Sequence, residues 1–261
     1  MNVNRWLPIT LALLALAPAA NAKVQTKDIV YTVGDSTFHG HLAWNDSLKT
    51  KRPGILVVHE WWGLNEHARR SAERLAAAGY VALALDMFGN GKVAAHPQDA
   101  QAFAAEAQKD PEVTKARFDA ARAELVKDPH VDPTRIGAIG YCFGGGVVLN
   151  MARAGEDLRA VATFHGALGT EHLAEKGKVK PRILVMTGTA DDFVPMTQVA
   201  AFEKEMKDAG ARFQVITYPG VKHSFTNPDA GTHGMPELKY DPDAARKSWA
   251  SMLSFMKTAM K

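Results

Sequence analysis

The chain has one cysteine, and it stands in Gly140-Tyr141-Cys142-Phe143-Gly144. This G-x-C-x-G spacing describes a strand that turns sharply into a helix and lifts one side chain above a sheet. Small residues two places before and two places after the raised side chain let the backbone bend that tightly. The flanks agree: Arg135 to Ile139 reads as a strand leading in, and Gly145 to Met151 as a helix leading out. A lone cysteine outside such a frame reads as a buried structural residue. The glycines at these offsets favour a chemical role instead.

The rest of the chain supplies the sheet that such a turn needs. Val24 to Trp44 reads as two short strands around Gly34-Asp35, an antiparallel edge hairpin. Ile55 to His59 is a β-branched apolar run of the kind buried in parallel sheets. Strand and helix patterns then alternate. Helices are expected over Asn65 to Ala78, over Pro97 to Lys127 with a break near Asp110-Pro111, over Met196 to Ala209 and over Pro242 to Met260. Strands are expected over Tyr80 to Leu85, Arg159 to Phe164, Pro181 to Met186 and Arg212 to Tyr218. The fold class is therefore α/β, a mostly parallel sheet covered by helices on both faces. Ligands bind along the edge where the parallel strands end.

Residues 1–22 read as a secretory signal peptide. Arg5 is a short basic region, Leu7 to Leu16 is apolar apart from Thr10, and Ala20-Asn21-Ala22 is a small-x-small cleavage site. The apolar run falls short of the roughly 20 residues that a spanning helix needs. The expectation is one exported domain over residues 23–261, periplasmic or secreted, with no stable membrane insertion after processing. Losing Arg5 takes one charge off a formal net of +3, and the remaining charges are interspersed. No basic tract points to nucleic acid, and nothing points beyond a monomer or weak oligomer. A chain with one cysteine forms no internal disulfide, and a free thiol in an oxidising compartment is open to oxidation unless protected.

Three polar residues follow strand ends in one chain order: Cys142 after Ile139, Asp191 in Thr187-Gly188-Thr189-Ala190-Asp191-Asp192, and His223 in Lys222-His223-Ser224-Phe225. Nucleophile, acid, histidine is the order of the α/β-hydrolase fold. A thiol needs a base or cation beside it to react as thiolate. A histidine needs a carboxylate on its other nitrogen to fix its tautomer. Position alone leaves Asp191 and Asp192 level as the acid, and His165 and His59 also follow strands. A metal reading would use His39, His41, His59 and His223, but no H-E-x-x-H motif or cysteine cluster accompanies them. No metal or organic cofactor is expected.

Four segments together resemble the dienelactone hydrolase family over roughly Lys23 to Lys261: His59-Glu60-Trp61-Trp62-Gly63-Leu64-Asn65, Gly140-Tyr141-Cys142-Phe143-Gly144-Gly145, Asp191-Asp192-Phe193-Val194-Pro195 and His223-Ser224-Phe225. The resemblance implies Cys142 as nucleophile, His223 as base and Asp191 as orienting acid. The family's acid stands four residues before the proline, which selects Asp191 over Asp192. It further implies that Glu60 meets the cysteine in the resting enzyme and holds a neutral thiol. Backbone N–H groups of Trp61 and Phe143 would form the oxyanion hole.

The chain departs from the family where arginines hold a substrate carboxylate. Asn227 stands where a cation is expected after His-Ser-Phe, the helix after His96 lacks an early basic residue, and the nearest cations are Lys92 and Lys109. The expected substrate is a small-molecule lactone or small ester, cleaved through an acyl-thioenzyme. A broad carboxylesterase or thioesterase is the alternative, and a redox-active or non-catalytic thiol protein is a remote one. The stretch Thr226 to Tyr240 is expected to contribute to a lid.

Overall fold

The computed structural model describes residues 23–47 and 49–261, so the expected leader, residues 1–22, lies outside the described residues. Eight strands, β1 (Val24–Val33), β2 (Ser36–Asn45), β3 (Arg52–Val58), β4 (Val81–Leu85), β5 (Val131–Tyr141), β6 (Ala160–Phe164), β7 (Arg182–Gly188) and β8 (Arg212–Tyr218), form one sheet. Its order is β1-β2-β4-β3-β5-β6-β7-β8. β1 and β2 pair antiparallel, as do β2 and β4, and every pairing from β4 through β8 is parallel. Among the described residues the helices are α1 (Glu66–Ala77), α2 (Pro97–Gln108), α3 (Pro111–Lys127), α4 (Phe143–Arg153), α5 (Met196–Asp208) and α6 (Pro242–Ala259).

Alternate residues of the central strands face two cores. Leu56 and Val58 of β3 join a cluster with Phe118 and Leu125 of α3, Val147 and Val148 of α4, and Phe202 of α5. Ile55 and Val57 join the opposite cluster, with Ala68, Ala72 and Leu75 of α1 and Met252 and Met256 of α6. A strand buried on both faces must be apolar throughout, which is why β3 and β4 read as continuous apolar runs rather than alternating ones. Helix starts are set locally. Asn65 accepts from the Ala68 N–H at 3.4 Å, and Asp241 accepts from the Asp243 and Ala244 N–H groups at 3.1 and 2.9 Å.

Three expectations shift at their boundaries. The edge hairpin has ten-residue strands rather than short ones. β5 begins at Val131, because Val131 and Asp132 pair with Arg52 and Pro53 before a register shift between Pro53 and Gly54. α4 starts at Phe143, directly after the cysteine, so the turn is tighter than the glycine run suggests. The stretch after His223 is tied down by a short 3-10 turn, Ala230–His233, and by a bridge between His223 and Leu238. Among the described residues no helix is long and apolar enough to cross a membrane.

Candidate active site

Cys142 caps α4 with φ +50° and ψ −115°, a left-handed conformation that a non-glycine residue adopts at a cost of about 1–3 kcal/mol. Its N–H donates to the Phe164 carbonyl at 3.1 Å, and its carbonyl accepts from Gly145 at 3.0 Å and Gly146 at 3.3 Å. The flanking glycines are obligatory on steric grounds. A Cβ on Gly140 would lie 2.1 Å from the Gly144 carbonyl oxygen, and one on Gly144 would lie 2.4 Å from that of Val58. Strand β5, β3 and the start of α4 are thus pressed together until the Cys142 side chain is thrown out over the sheet edge, where it is partly exposed.

The loops after β7 and β8 meet it there. His223, buried, donates from Nδ1 to Asp191 Oδ2 at 2.8 Å. The other carboxylate oxygen, Asp191 Oδ1, accepts from the Phe193 and Val194 N–H groups at 3.0 and 3.1 Å, which fixes the acid within its own loop. Asp192 points to solvent. Burial alone would push His223 below its usual value, but the Cys142 thiolate and the Asp191 carboxylate outweigh it and raise the ring to about 10. The imidazolium is therefore the favoured form of His223 beside a charged Cys142.

Glu60, just past β3, is only 2% exposed, and it is held differently from the arrangement the resemblance implies. Its Oε1 accepts from the Ser224 hydroxyl and its Oε2 from Asn227 Nδ2 at 2.6 Å. Among the described residues no hydrogen bond joins Glu60 to Cys142. Both oxygens instead have donors on the segment that follows His223. Asn227, marked in sequence only as a missing cation, is 1% exposed and binds Glu60. Ser224 and Asn227 are the site residues that sequence reasoning missed. The available signal was two polar residues, one and four places after a candidate catalytic histidine.

The rival histidines have other partners. His165 lies beside the site with its ring 5.0 Å from that of His223, yet its Nε2 meets Thr226 Oγ1 at 2.8 Å and not a carboxylate. Burial holds it far below its ordinary value, and the His223 and His67 charges push it the same way. His59 is a buried strut: Nδ1 donates to the Glu60 carbonyl, and Nε2 accepts from the Met87 N–H at 3.1 Å. His41 sits elsewhere, on β2, between Asp28 at 2.8 Å and Glu73 at 3.1 Å.

Cys142 and His223 open on a cavity of about 260 Å³. Trp61, Phe143, Phe193 and Val194 form walls on their side, while Ala104 and Gln108 of α2, Ala167 and Leu238 complete it. No arginine or lysine lines this cavity among the described residues. Lys92 instead lies over the Phe103 ring, 5.4 Å from its centroid, and Lys109 is exposed. The N–H groups of Trp61 and Phe143 have no protein acceptor among the described residues. Backbone donors left free in this way are the kind of group that a developing oxyanion requires.

Comparison with known proteins places this geometry in context. The sequence profile of the Dienelactone hydrolase family matches residues 38–260. A protein of Aquifex aeolicus, provisionally named carboxymethylenebutenolidase, is 29% identical over 214 residues, covering 80% of this chain and 89% of its own. A Bradyrhizobium protein, provisionally named a 2-oxo-3-(5-oxofuran-2-ylidene)propanoate lactonase, is 27% identical over 218 residues, covering 78% of this chain and 83% of its own. The solved structure of a dienelactone hydrolase-like promiscuous phosphotriesterase from metagenomic libraries superposes with a TM-score of 0.87. It is 34% identical and covers 91% of this chain and 99% of that one.

Proposed function

The chain belongs to the dienelactone hydrolase family, and from that premise we propose that it hydrolyses an uncharged lactone or small carboxylic ester through Cys142. The observation that carries this reading is the His223 ring, bound to Asp191 through Nδ1 and lining one cavity with Cys142. The Cys142 thiolate attacks the carbonyl carbon, and the oxyanion is received by the N–H groups of Trp61 and Phe143. As the tetrahedral species collapses, the His223 imidazolium gives its proton to the leaving alkoxide, and an acyl-thioenzyme remains. Water then enters, neutral His223 takes its proton, and attack on the thioester releases the acid and restores the thiolate. With a lactone the alcohol stays tethered to the acyl group. Asp191 orients the ring throughout and stabilises its charged form.

The absence of arginine and lysine from the cavity wall among the described residues supports an uncharged substrate. A carboxylate placed among Phe143, Phe193 and Val194 would lose its water without gaining a bidentate partner. A broad carboxylesterase or thioesterase activity uses the same steps. A second reading, phosphotriesters, is favoured by the 34% identity to the dienelactone hydrolase-like phosphotriesterase. The Ala20-Asn21-Ala22 motif supports export of the processed chain.

The test is a panel of lactones and esters, each with and without a substrate carboxylate, run on the native enzyme and on Cys142→Ala. Uncharged members should turn over, and the variant should lose roughly 10⁴-fold or more. Undiminished turnover by Cys142→Ala would remove the thiol mechanism. A strong preference for the carboxylate-bearing members would show that a cation reaches the cavity after all.

A further inference from the structure

We infer that Phe193 and Trp61 form a seat for an aromatic leaving group, so that esters of aromatic alcohols are this site's preferred substrate class. Phe193 is 42% exposed, although large aromatic side chains in the rest of this fold are mostly buried. Its ring lines the cavity, 4.9 Å from the His223 ring and 6.5 Å from Trp61, which meets it at 62°. Trp61 is fixed from behind by Trp62, at 5.2 Å, and Trp62 is itself 1% exposed. The Phe193 backbone is fixed too, because its N–H donates to Asp191 Oδ1 at 3.0 Å. The Phe193 wall is therefore held by a bond to the catalytic acid, and the Trp61 wall by its contact with Trp62. Such a slot costs little ordering when a ring enters.

The side of the cavity matters. In acyl transfer the leaving oxygen takes its proton from the histidine, so the leaving group's substituent must lie against whatever borders that histidine. Here the bordering side chain is Phe193, on the loop that carries the acid. A planar ring bonded through one carbon to the leaving oxygen reaches the space between Phe193 and Trp61, where edge or offset contacts with both are available. A saturated ring fills similar volume without those contacts.

This inference rests on the ester reading above, and the two fail separately. The experiment compares benzyl acetate with cyclohexylmethyl acetate, whose leaving alcohols are similar in size and acidity but differ in aromaticity. Cys142-dependent hydrolysis of either ester carries the ester reading. Only the ratio of their kcat/KM values carries the inference. The native enzyme should favour benzyl acetate by roughly three- to tenfold. Phe193→Leu should bring the ratio close to one while retaining hydrolysis of the saturated ester, and Phe193→Trp should restore the preference. Equal losses on both esters in Phe193→Leu, or a native ratio near one, would overturn the seat.

Discussion

Asp191 and Glu60 are both carboxylates almost without solvent, and both bind the short segment from His223 to Asn227, yet they are built in opposite ways. Asp191 is fixed by donors two and three residues further along its own loop, so its direction toward His223 is decided locally. Glu60 is fixed by side chains 164 and 167 residues away, so its direction exists only once β3 and the loop after β8 have come together. A locally held acid is pre-organised for chemistry. A distantly held one ties two parts of the fold together. The difference predicts that the two will fail differently when altered.

The largest effect belongs to Asp191. Asp191→Asn preserves volume and can keep its backbone donors, but it presents the wrong partner to His223 Nδ1 and favours the unproductive tautomer. The kcat for an ester substrate should fall about 10³- to 10⁴-fold with the fold intact. A loss of only a few-fold would mean that His223 is oriented by something other than this carboxylate.

The next effect is in pH dependence. Cys142 and Asp191 hold His223 up at about 10 against burial. A histidine with a folded pKa above its unfolded value, about 6.5, stabilises the fold fully below that value. The contribution disappears as pH rises through about 10. Urea midpoints should therefore drop between about pH 7 and about pH 11, and the drop should be smaller in Cys142→Ala. An NMR titration should place the His223 ring lower in that variant than in the native protein. An unchanged titration would separate the ring from the cysteine.

Glu60→Gln is expected to act chiefly on stability. One carboxylate oxygen becomes an NH₂ facing the Ser224 hydroxyl or the Asn227 amide, both buried donors. Leaving one such donor unsatisfied costs about 1–3 kcal/mol, readable from urea unfolding. Asn227→Ala should cost a similar amount, and the two together less than their sum, because both remove one interaction. Strict additivity would show that the pair is not coupled.

The same contrast explains what was legible in the sequence. The elbow, the alternating strands and helices, and the order Cys142, Asp191, His223 rest on local patterns: glycine spacing, apolar runs and positions after strand ends. Each of these patterns is read within a few residues. The choice of Asp191 over Asp192 came from the family resemblance, through its spacing to Pro195, because position after the strand leaves the two level. The partners of Glu60 were not legible, because hydrogen bonds across 164 and 167 residues leave no spacing to read. Asn227 was noticed for the charge it lacks. Its Glu60-binding amide emerges only in three dimensions. The lack of a clamping cation was half legible: the absent arginines are a fact of sequence, but Lys92 and Lys109 lying off the cavity wall is a fact of packing.

The smallest expected effect is the sharpest control on the comparison. Asp192 is adjacent to Asp191 and carries the same charge, but its side chain is exposed and makes no hydrogen bond within the described structure. Asp192→Asn removes a charge from nearly the same place on the loop while sparing the bond to His223. Solvent screens such a charge, so stability should change by no more than about 0.5 kcal/mol and kcat by less than about twofold. If Asp192→Asn instead lost activity on the scale of Asp191→Asn, the general negative field of the loop, and not the single Asp191–His223 hydrogen bond, would be what sustains the histidine. The functional distinction between a locally aimed carboxylate and a merely nearby one would then collapse.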